Sequence, residues 1–159
     1  MPRIVILILP LILIACASTQ GQVVVTSVVD GDTLHVQLTN GDDERVRIVG
    51  IDTPETVDPR KPVQCFGEEA SARMKELVEG KSVVIEKKPD EDRDRYDRLL
   101  RYVIMDGEDI GALMISEGYA FSYKPFPHPK LREYNALERE ARTEGRGLWG
   151  EGCEYAKKK

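Results

Sequence analysis

The chain has 159 residues, of which 41% are hydrophobic and 32% are charged, and its formal net charge is −5. A chain of this length suits one domain and buries enough surface to fold without help from metals or disulfides. The acidic balance excludes a protein that coats nucleic acid nonspecifically, because such a protein needs a basic surface. It remains compatible with an enzyme that confines its positive charge to one groove.

The amino terminus has the pattern of an export signal. A short basic start (MPR) precedes an almost continuous run of Ile, Leu and Val at residues 4–14, and small residues follow. This run is shorter than the ~18 residues that a membrane-spanning helix needs, so a transmembrane anchor is the weaker interpretation. We therefore predict a signal peptide over residues 1–15.

The end of this segment, LIAC, resembles the lipobox of bacterial-type lipoproteins, in which the cysteine becomes the lipidated first residue of the mature chain. This pattern predicts lipidation of Cys16, and a plain secretory signal with an incidental cysteine is the alternative. We expect an exported protein that is either anchored at the cell envelope through lipid on Cys16 or secreted. Its only membrane contact would be through that N-terminal lipid.

Hydrophobic periodicity after the signal predicts five strands and three helices. Three stretches rich in Val, Ile and Thr form a predicted meander, followed by a helix, two strands and two further helices. An α+β chain with five strands suits a small closed barrel of the OB-fold type. We expect the domain to occupy residues 22–151, followed by a basic tail at 152–159. The predicted strands are 22–29, 33–38, 45–51, 82–86 and 99–105, and the predicted helices are 68–78, 110–117 and 131–143.

The stretch VVDGDTLHVQL, residues 28–38, contains two aspartates around a glycine at a turn between strands. Asp30-Gly31 is common in hairpin turns, because Gly31 adopts positive φ without strain and Asp30 hydrogen-bonds its own turn. This explanation leaves Asp32 without a structural role. We therefore treat Asp32 as a candidate functional carboxylate.

The stretch RVRIVGIDTPE, residues 45–55, combines a strand with an acidic turn. Arg45 and Arg47 alternate with apolar residues, so both arginines belong to the polar face of the strand. A straight strand would place Asp52 about 17 Å from Arg47, at ~3.3 Å per residue. A site shared by these two residues therefore requires a bend, which we expect at Gly50, or an extended arginine side chain.

The segment IDTPET also suits a short helical turn, since Asp52 or Thr53 would cap a helix that begins with Pro54. However, Asp32 and Asp52 both lie at predicted strand ends, where a sheet places functional groups at its rim. Two carboxylates with a backbone carbonyl and water suit a hard cation such as Ca²⁺. Cation binding by Asp32 and Asp52 is therefore the functional alternative to helix capping.

The stretch DEDRDRYDRLLRYV, residues 90–103, is the most basic part of this acidic chain. A charge run of this kind is usually a solvated loop that enters a strand. Planar guanidinium groups also bind phosphate oxygens, so a phosphate-containing partner would meet the chain here. The residues concerned are Arg93, Arg95, Arg98 and Arg101, with Tyr96 and Tyr102 between them.

The cysteines and histidines favour a disulfide over a metal site. After Cys16 two cysteines remain, Cys65 and Cys153, and an even number in an exported chain favours a disulfide. Two buried free thiols are the alternative. His35 and His128 lack the paired spacing of a zinc site, and we assign them no function.

The stretches VDGDT, VRIVGIDTPET and DRDRYDRLLRYV, in this order and spacing, resemble the staphylococcal nuclease (thermonuclease) family. The similarity continues through FGEEAS, ISEGYA, SYKP and GRGLWGE, and it covers residues 23–151. Single motifs of this length recur by chance, but their joint order over a whole domain does not. The resemblance implies an OB-fold and Ca²⁺-dependent hydrolysis of DNA and RNA phosphodiesters that leaves 3′-phosphate ends.

The resemblance also implies a metal site and a general base. Asp32 and Asp52 would supply carboxylate ligands to Ca²⁺, and Thr53 would supply its backbone carbonyl. Glu55 is the implied general base that takes a proton from the attacking water.

The phosphate and the nucleotide have implied partners as well. Arg47 and Arg98 would clamp the phosphate and offset the charge that develops on its oxygens. Tyr123 would help to hold the nucleotide, and Arg95 and Tyr96 of the basic cluster are further candidate substrate-binding residues. We expect a monomer that acts on DNA and RNA, with single strands preferred.

The chain departs from the best-known members of this family at two positions. Asp97 stands where they have glycine, and Phe121 stands where they have tyrosine. Aspartate tolerates the left-handed backbone conformation, so the turn is expected to survive, but the Asp97 carboxylate is expected to compete with phosphate for Arg98. Phe121 would remove one hydroxyl group from the nucleotide pocket.

Two other functions compete with the enzyme. One is an adaptor module that keeps the barrel and has lost the acids, and the other is a Ca²⁺-binding structural lipoprotein of the envelope. An adaptor has little reason to keep all the implied catalytic and metal-binding side chains together. This chain has all of them: Asp32, Arg47, Asp52, Glu55 and Arg98.

Overall fold

The structure is a computed structural model that describes residues 21–56, 64–153 and 155. The predicted signal peptide at residues 1–15 and the predicted lipidation site Cys16 lie outside the described residues, as does most of the predicted tail. Within the described ranges, every helix is too short or too polar to cross a bilayer.

The described chain begins with the predicted three-stranded meander, continues through a helix and two more long strands, and ends with two helices and a 3-10 turn. The strands are β1 (Gln22–Asp30), β2 (Thr33–Gln37), β3 (Asp43–Ile48), β4 (Ile51–Asp52), β5 (Ser82–Lys87), β6 (Leu99–Met105), β7 (Glu108–Asp109) and β8 (Phe121–Ser122). The helices are α1 (Gly67–Val78), α2 (Ile110–Ser116) and α3 (Leu131–Thr143), and the 3-10 turn is Gly147–Trp149.

Five strands close into a barrel. Their order is β3-β2-β1-β5-β6 with antiparallel neighbours, and a parallel pairing of β3 with β6 completes the ring. In that pairing Val46 lies beside Leu99 and Ile48 beside Arg101. Closure leaves these strands without a free edge. The predicted α+β class, a five-stranded OB-fold barrel with three helices, is confirmed.

The barrel interior follows the alternation of apolar residues along the strands. On β3, Val46 and Ile48 are buried, whereas Arg45 is exposed and Arg47 is half-buried. A fully buried aliphatic side chain contributes about 1.5–3 kcal/mol, so this pattern fixes which face of β3 points outward. Helix α1 packs against β1 and buries Ala70, Met74, Leu77 and Val78.

One predicted strand is divided in the structure. β3 ends at Ile48, and the chain resumes extended pairing at Ile51, where β4 pairs with β8. Gly50 between them has φ 81°, and a Cβ atom at this position would lie 2.4 Å from Cε1 of His128. Only glycine fits both the backbone conformation and the close approach. The predicted bend at Gly50 is therefore present, and the single continuous strand is wrong.

Gly31 has a different role from the one predicted. Its φ is not positive, so the expected left-handed conformation is wrong. Instead, a Cβ atom on Gly31 would lie 2.6 Å from Cγ2 of Thr53. The glycine is required because the turn between β1 and β2 packs directly against the segment that follows β4.

A small second core and a disulfide hold the C-terminal part. Leu148 and Trp149 are buried, and the ring of Phe121 meets that of Trp149 edge-on at a centroid distance of 5.3 Å. Cys65 and Cys153 form a disulfide, with their Cα atoms 5.8 Å apart. This bond joins the loop before α1 to the end of the described chain.

Candidate active site

Arg47 connects two carboxylates at the rim of the barrel. Its Nη2 atom is 3.0 Å from Oδ2 of Asp32 and 3.3 Å from Oδ1 of Asp52. Its Nη1 atom donates to the carbonyl of Ile48 at 2.7 Å, which keeps the guanidinium close to the backbone. Because the chain turns at Gly50, Asp52 lies near the end of β3 instead of further along a straight strand. One guanidinium group therefore joins acids from two separate turns.

Asp32 is held in a fixed position. It is only 6% exposed. Its Oδ2 atom accepts a hydrogen bond from the Thr53 N–H at 3.1 Å, and its Oδ1 atom accepts one from the Thr33 hydroxyl at 3.0 Å. A buried carboxylate without partners would cost several kcal/mol, and these bonds together with Arg47 supply the partners. Asp32 is thus oriented by its surroundings before any ligand binds.

Asp30 makes the turn, as predicted. Its Oδ1 atom accepts a hydrogen bond from the Asp32 N–H at 3.0 Å. Burial, together with the negative charge of Asp32, raises the pKa of Asp30 to about 6. More of this carboxyl group is therefore protonated near neutral pH than for an ordinary aspartate.

The acid pair forms a compact set of oxygen donors. Oxygen atoms of Asp32 and Asp52 contact the same nitrogen atom, and the side chain of Asp52 is 49% exposed, so the set opens to solvent on one side. In the part of the chain that the structure describes, no cluster of three or more His, Cys, Asp or Glu residues has the arrangement of a metal site. Two carboxylates still suit a hard cation that takes its other ligands from water and a phosphate group. The donor chemistry of the acid pair therefore fits a divalent cation.

Thr53 and Glu55 lie on the segment that directly follows β4. The Thr53 hydroxyl is 3.4 Å from the same Asp32 oxygen that accepts its N–H. The Glu55 N–H donates to the side-chain oxygen of Gln64 at 2.8 Å, and the Glu55 carbonyl accepts a hydrogen bond from the Gln64 N–H at 2.9 Å. Its carboxylate accepts the N–H of Thr56 at 3.0 Å. The predicted general base therefore lies three residues after Asp52, on a segment whose backbone is hydrogen-bonded to Gln64.

Arg98 is positioned by Asp94. Its Nε and Nη2 atoms both lie 2.7 Å from Oδ2 of Asp94, and its Nη1 atom is 3.3 Å from the Thr33 hydroxyl. The other carboxylate oxygen accepts the backbone N–H groups of Tyr96 and Arg98. Partial burial acts to raise the pKa of Asp94, but these hydrogen bonds outweigh it and hold the pKa below its usual range. Since Thr33 also contacts Asp32, it links the acid pair to Arg98.

Asp97 has the predicted backbone and a different side-chain partner. Its φ is 62°, in the left-handed region. Its carboxylate is 84% exposed, and Oδ1 lies 3.6 Å from Nε of Arg93. The carboxylate that contacts Arg98 is that of Asp94. The expectation that Asp97 competes for Arg98 is therefore wrong.

One open groove of about 500 Å³ brings the candidate phosphate-binding and nucleotide-binding side chains together. The ring of Tyr96 is 54% exposed and lies beneath two guanidinium groups, with Cζ of Arg95 at 4.8 Å and Cζ of Arg98 at 5.4 Å from its centroid. Cζ of Arg47 lies 6.0 Å from the ring centroid of Tyr123. The groove therefore combines positive charge with aromatic faces, as single-stranded nucleic acid requires.

The groove is also lined by residues that the sequence does not mark as functional, among them Asp94, Phe126 and His128. The spacing of Asp94 four residues before Arg98 is a usable signal for an ion pair. Phe126 stands between two prolines, which is a signal for a held and exposed ring. His128 gives no such signal, because its place at the groove depends on contacts with Gly50 and with the Tyr102 hydroxyl, 3.1 Å from Nδ1.

The closed barrel, the arginine-bridged acid pair and the aromatic groove together define an OB-fold of the staphylococcal nuclease type. Comparison with known proteins agrees: the family described as "Staphylococcal nuclease homologue" matches residues 45–151. The chain belongs to the staphylococcal nuclease family.

Several curated relatives are similar over most of the chain. The SPbeta prophage-derived endonuclease YokF of Bacillus subtilis is 41% identical over 123 residues, which are 76% of this chain and 41% of the relative. Endonuclease YncB of the same organism is 38% identical over 123 residues, 76% of this chain and 58% of the relative. The thermonuclease of Staphylococcus intermedius is 36% identical over 126 residues, 79% of this chain and 74% of the relative. The match thus spans about half the length of the two Bacillus relatives.

Proposed function

We propose that the protein is a metal-dependent nuclease that hydrolyses phosphodiester bonds of DNA and RNA. The observation that carries this proposal is the convergence at one groove of two arginines from different elements. Arg47 at the groove also bridges the acid pair Asp32 and Asp52, and Arg98 is oriented by Asp94. Endonucleases and a thermonuclease among the relatives support the same reaction class.

The two arginines act on the phosphate. A phosphodiester anion repels an attacking water or hydroxide, and the transition state carries more negative charge than the substrate. Arg47 and Arg98 offset this charge from fixed positions, which costs no reorganisation during the reaction. Removing one such preorganised group typically costs about 2.7–4 kcal/mol of barrier.

The proposed cofactor is Ca²⁺. Asp32 and Asp52 would bind it through their carboxylates and Thr53 through its backbone carbonyl. When bound, the ion would supply positive charge that stabilises the phosphate and promotes ionisation of the attacking water. The chemistry of the donors supports a hard cation, because every proposed ligand atom is oxygen.

Glu55 is the proposed general base. Its carboxylate would take a proton from the water that attacks phosphorus, and cleavage of the bond to the 5′ oxygen would leave a 3′-phosphate end. The hydrogen bonds to Gln64 hold the backbone at this position, which limits the distances that the side chain can sample. An ionised carboxylate is able to accept this proton.

A single strand is the proposed preferred substrate. Tyr96 and Tyr123 offer ring faces to unpaired bases, while Arg95 adds positive charge at the same groove. Bases in a duplex are stacked on each other and do not present these faces. We also propose that the enzyme acts as a monomer, since the site is built from one chain.

We propose that the protein is exported, with lipid on Cys16 holding it at the envelope. The export-type N-terminus supports this, and the Cys65–Cys153 disulfide suits an oxidising compartment. Intact-mass analysis of the protein from its native host tests the proposal. A chain that begins at Cys16 with the added mass of lipid is expected, and an unmodified chain would overturn it.

Digestion of single-stranded DNA and RNA by the purified protein tests the activity. Reactions contain Ca²⁺, Mg²⁺ or EGTA, and Glu55→Gln is the matched variant because it keeps the size and hydrogen bonding of the side chain. Calcium-dependent cleavage that the variant loses is expected. Extension of the products by a polymerase only after phosphatase treatment would identify 3′-phosphate ends. A folded protein that binds Ca²⁺ and cuts neither polymer would overturn the proposal in favour of an adaptor.

A further inference from the structure

Phe126 is the most exposed large hydrophobic residue in the described part of the chain, at 61%, and it lines the groove. Pro125 and Pro127 flank it, and each proline restricts its own φ to about −65°, so little backbone freedom remains. The ring centroid lies 5.8 Å from that of Tyr123, at an interplanar angle of 42°. A held, exposed ring beside an arginine-lined groove is a surface on which a base stacks.

The surface continues beyond Phe126 into a second, shallow cleft of about 560 Å³ at the start of α3. His128 lines both clefts, so the two are contiguous. Helix α3 contributes Arg132, Asn135 and Arg139 to the second cleft. Their spacing of three and four residues places them on one side of the helix. We call Phe126, Arg132, Asn135 and Arg139 the α3 face.

Two arginines of the α3 face keep their charge available. Arg132 and Arg139 are exposed, and among the described residues neither has a carboxylate within ion-pair distance. The neighbouring lysines differ, because Lys124 pairs with a glutamate of α3 at 3.0 Å and Lys130 with an aspartate of β7 at 2.6 Å. In a chain with a net charge of −5, two uncompensated arginines beside a basic groove are complementary to a polyanion.

The spacing of the two arginines matches a nucleic-acid strand. Seven residues of α-helix rise about 10 Å, and three stacked nucleotides of one strand span about the same length at ~3.4 Å each. We propose that the strand leaves the groove over Phe126, stacks one base on its ring and continues along α3, with phosphates at Arg132 and Arg139. This inference rests on the proposed nuclease function and extends it, since it makes the enzyme selective for substrates several nucleotides long.

Substrate length provides the test. The purified protein is assayed on a 12-nucleotide oligothymidylate and on a thymidine dinucleotide, and its affinity for a labelled 12-mer is measured by fluorescence anisotropy in EDTA. The variants are Arg132→Glu/Arg139→Glu, the charge-conserving Arg132→Lys/Arg139→Lys, Phe126→Ala and Phe126→Trp. Lys75→Glu is the control, since Lys75 is an exposed residue of α1 that lines neither cleft.

Charge reversal on α3 is expected to raise KM and Kd for the 12-mer at least fivefold, with cleavage of the dinucleotide unchanged. The dependence of log Kd on log salt concentration should become shallower by about 1.4, because each phosphate contact on a single strand contributes about 0.7. The double lysine variant and Lys75→Glu should bind the 12-mer within twofold of the wild type. Phe126→Ala should weaken 12-mer binding about tenfold, and Phe126→Trp should preserve it, because stacking needs only an aromatic face.

Other results would overturn the inference. Unchanged 12-mer binding in the charge-reversal variant would do so, and so would an equal loss on the dinucleotide, which would mean that the groove itself is damaged. If charge reversal abolished binding to vesicles of anionic phosphatidylglycerol and left the 12-mer unaffected, the α3 face would belong to the membrane. Failure of the nuclease function is distinguishable: the wild type would cut neither substrate, and the anisotropy measurement would still decide whether binding depends on length and on α3.

Discussion

The guanidinium of Arg98 is held by Asp94, with two of its nitrogen atoms 2.7 Å from one carboxylate oxygen. The two residues are four positions apart in the sequence, and both lie in the loop that precedes β6. A free arginine loses much of its side-chain entropy when it grips a phosphate. Because Asp94 already orders the Arg98 side chain in the folded protein, this entropy is lost on folding and not on binding. Arg98 is therefore oriented before a phosphate binds.

Replacement of Asp94 by asparagine is expected to lower kcat/KM about tenfold. Asparagine keeps the shape of the side chain but loses the negative charge that pairs with Arg98, and its amide NH2 group donates hydrogen bonds where a carboxylate oxygen accepts them. Steady-state kinetics of Asp94→Asn, Arg98→Ala and the double variant check this. Because Asp94 acts through Arg98, the double variant should be no slower than Arg98→Ala. Additive losses would show that Asp94 has a separate role.

Arg98→Ala should lower kcat/KM by about 10²–10³, because a preorganised positive charge at the phosphate is lost. The Arg47→Lys variant should lose kcat/KM by a factor in the same range. The lysine keeps a positive charge near Asp32 and Asp52, but it lacks the planar guanidinium group that can hydrogen-bond to two acceptors at once. Circular dichroism and urea unfolding show whether each variant is folded, with Lys75→Ala as the control. Near-wild-type activity in either folded variant contradicts the assigned role.

Removing the disulfide should reduce stability without reducing activity. The bond closes a loop with a sequence separation of 88 residues, and a crosslink of this length stabilises a protein by about 2–5 kcal/mol. The free energy of unfolding of the Cys65→Ser/Cys153→Ser variant, measured in urea, should be lower than that of the wild type by that amount. The wild type in reducing buffer should match the variant. A variant as stable as the oxidised wild type would show that the bond constrains little.

Stability should depend on pH through His128. Burial, assisted by the positive charges of Lys88 and Lys130 and opposed by Asp109, lowers the pKa of His128. Above the unfolded pKa of about 6.5 the residue is neutral in both states. As the pH falls below that value the unfolded chain binds a proton that the folded chain rejects, so the free energy of unfolding decreases.

The His128 contribution has to be separated from that of Asp30, which acts in the opposite direction. The raised pKa of Asp30, about 6, lets the folded state take up a proton first as the pH falls, which increases stability. The free energy of unfolding of His128→Gln is therefore subtracted from that of the wild type between pH 7.5 and pH 5. This difference should become smaller as the pH falls, because only the wild type loses stability through His128. A constant difference would mean that His128 titrates normally in the folded protein.

Local patterns predict the elements of the barrel because their causes are local. Alternation along β3 separates Val46 and Ile48 from Arg45 and Arg47, and burial of one face is enough to fix the strand. Helix α3 is predicted at its observed bounds, because its apolar spacing and Gly145 are read directly from the chain. The boundary after Ile48 is missed, since Val49 still bonds to β6 and only Gly50 leaves the strand.

The sequence by itself determined the barrel class, the family and the set of acids and arginines that form the site, because these depend on residue type and order. Only the tertiary structure decided which groups meet: Arg47 between Asp32 and Asp52, Asp94 on Arg98, and Gly31 against Thr53. These contacts join parts of the chain through backbone bends and close packing. A side chain's partner in such a contact depends on the path of the whole fold, which no single stretch of residues specifies.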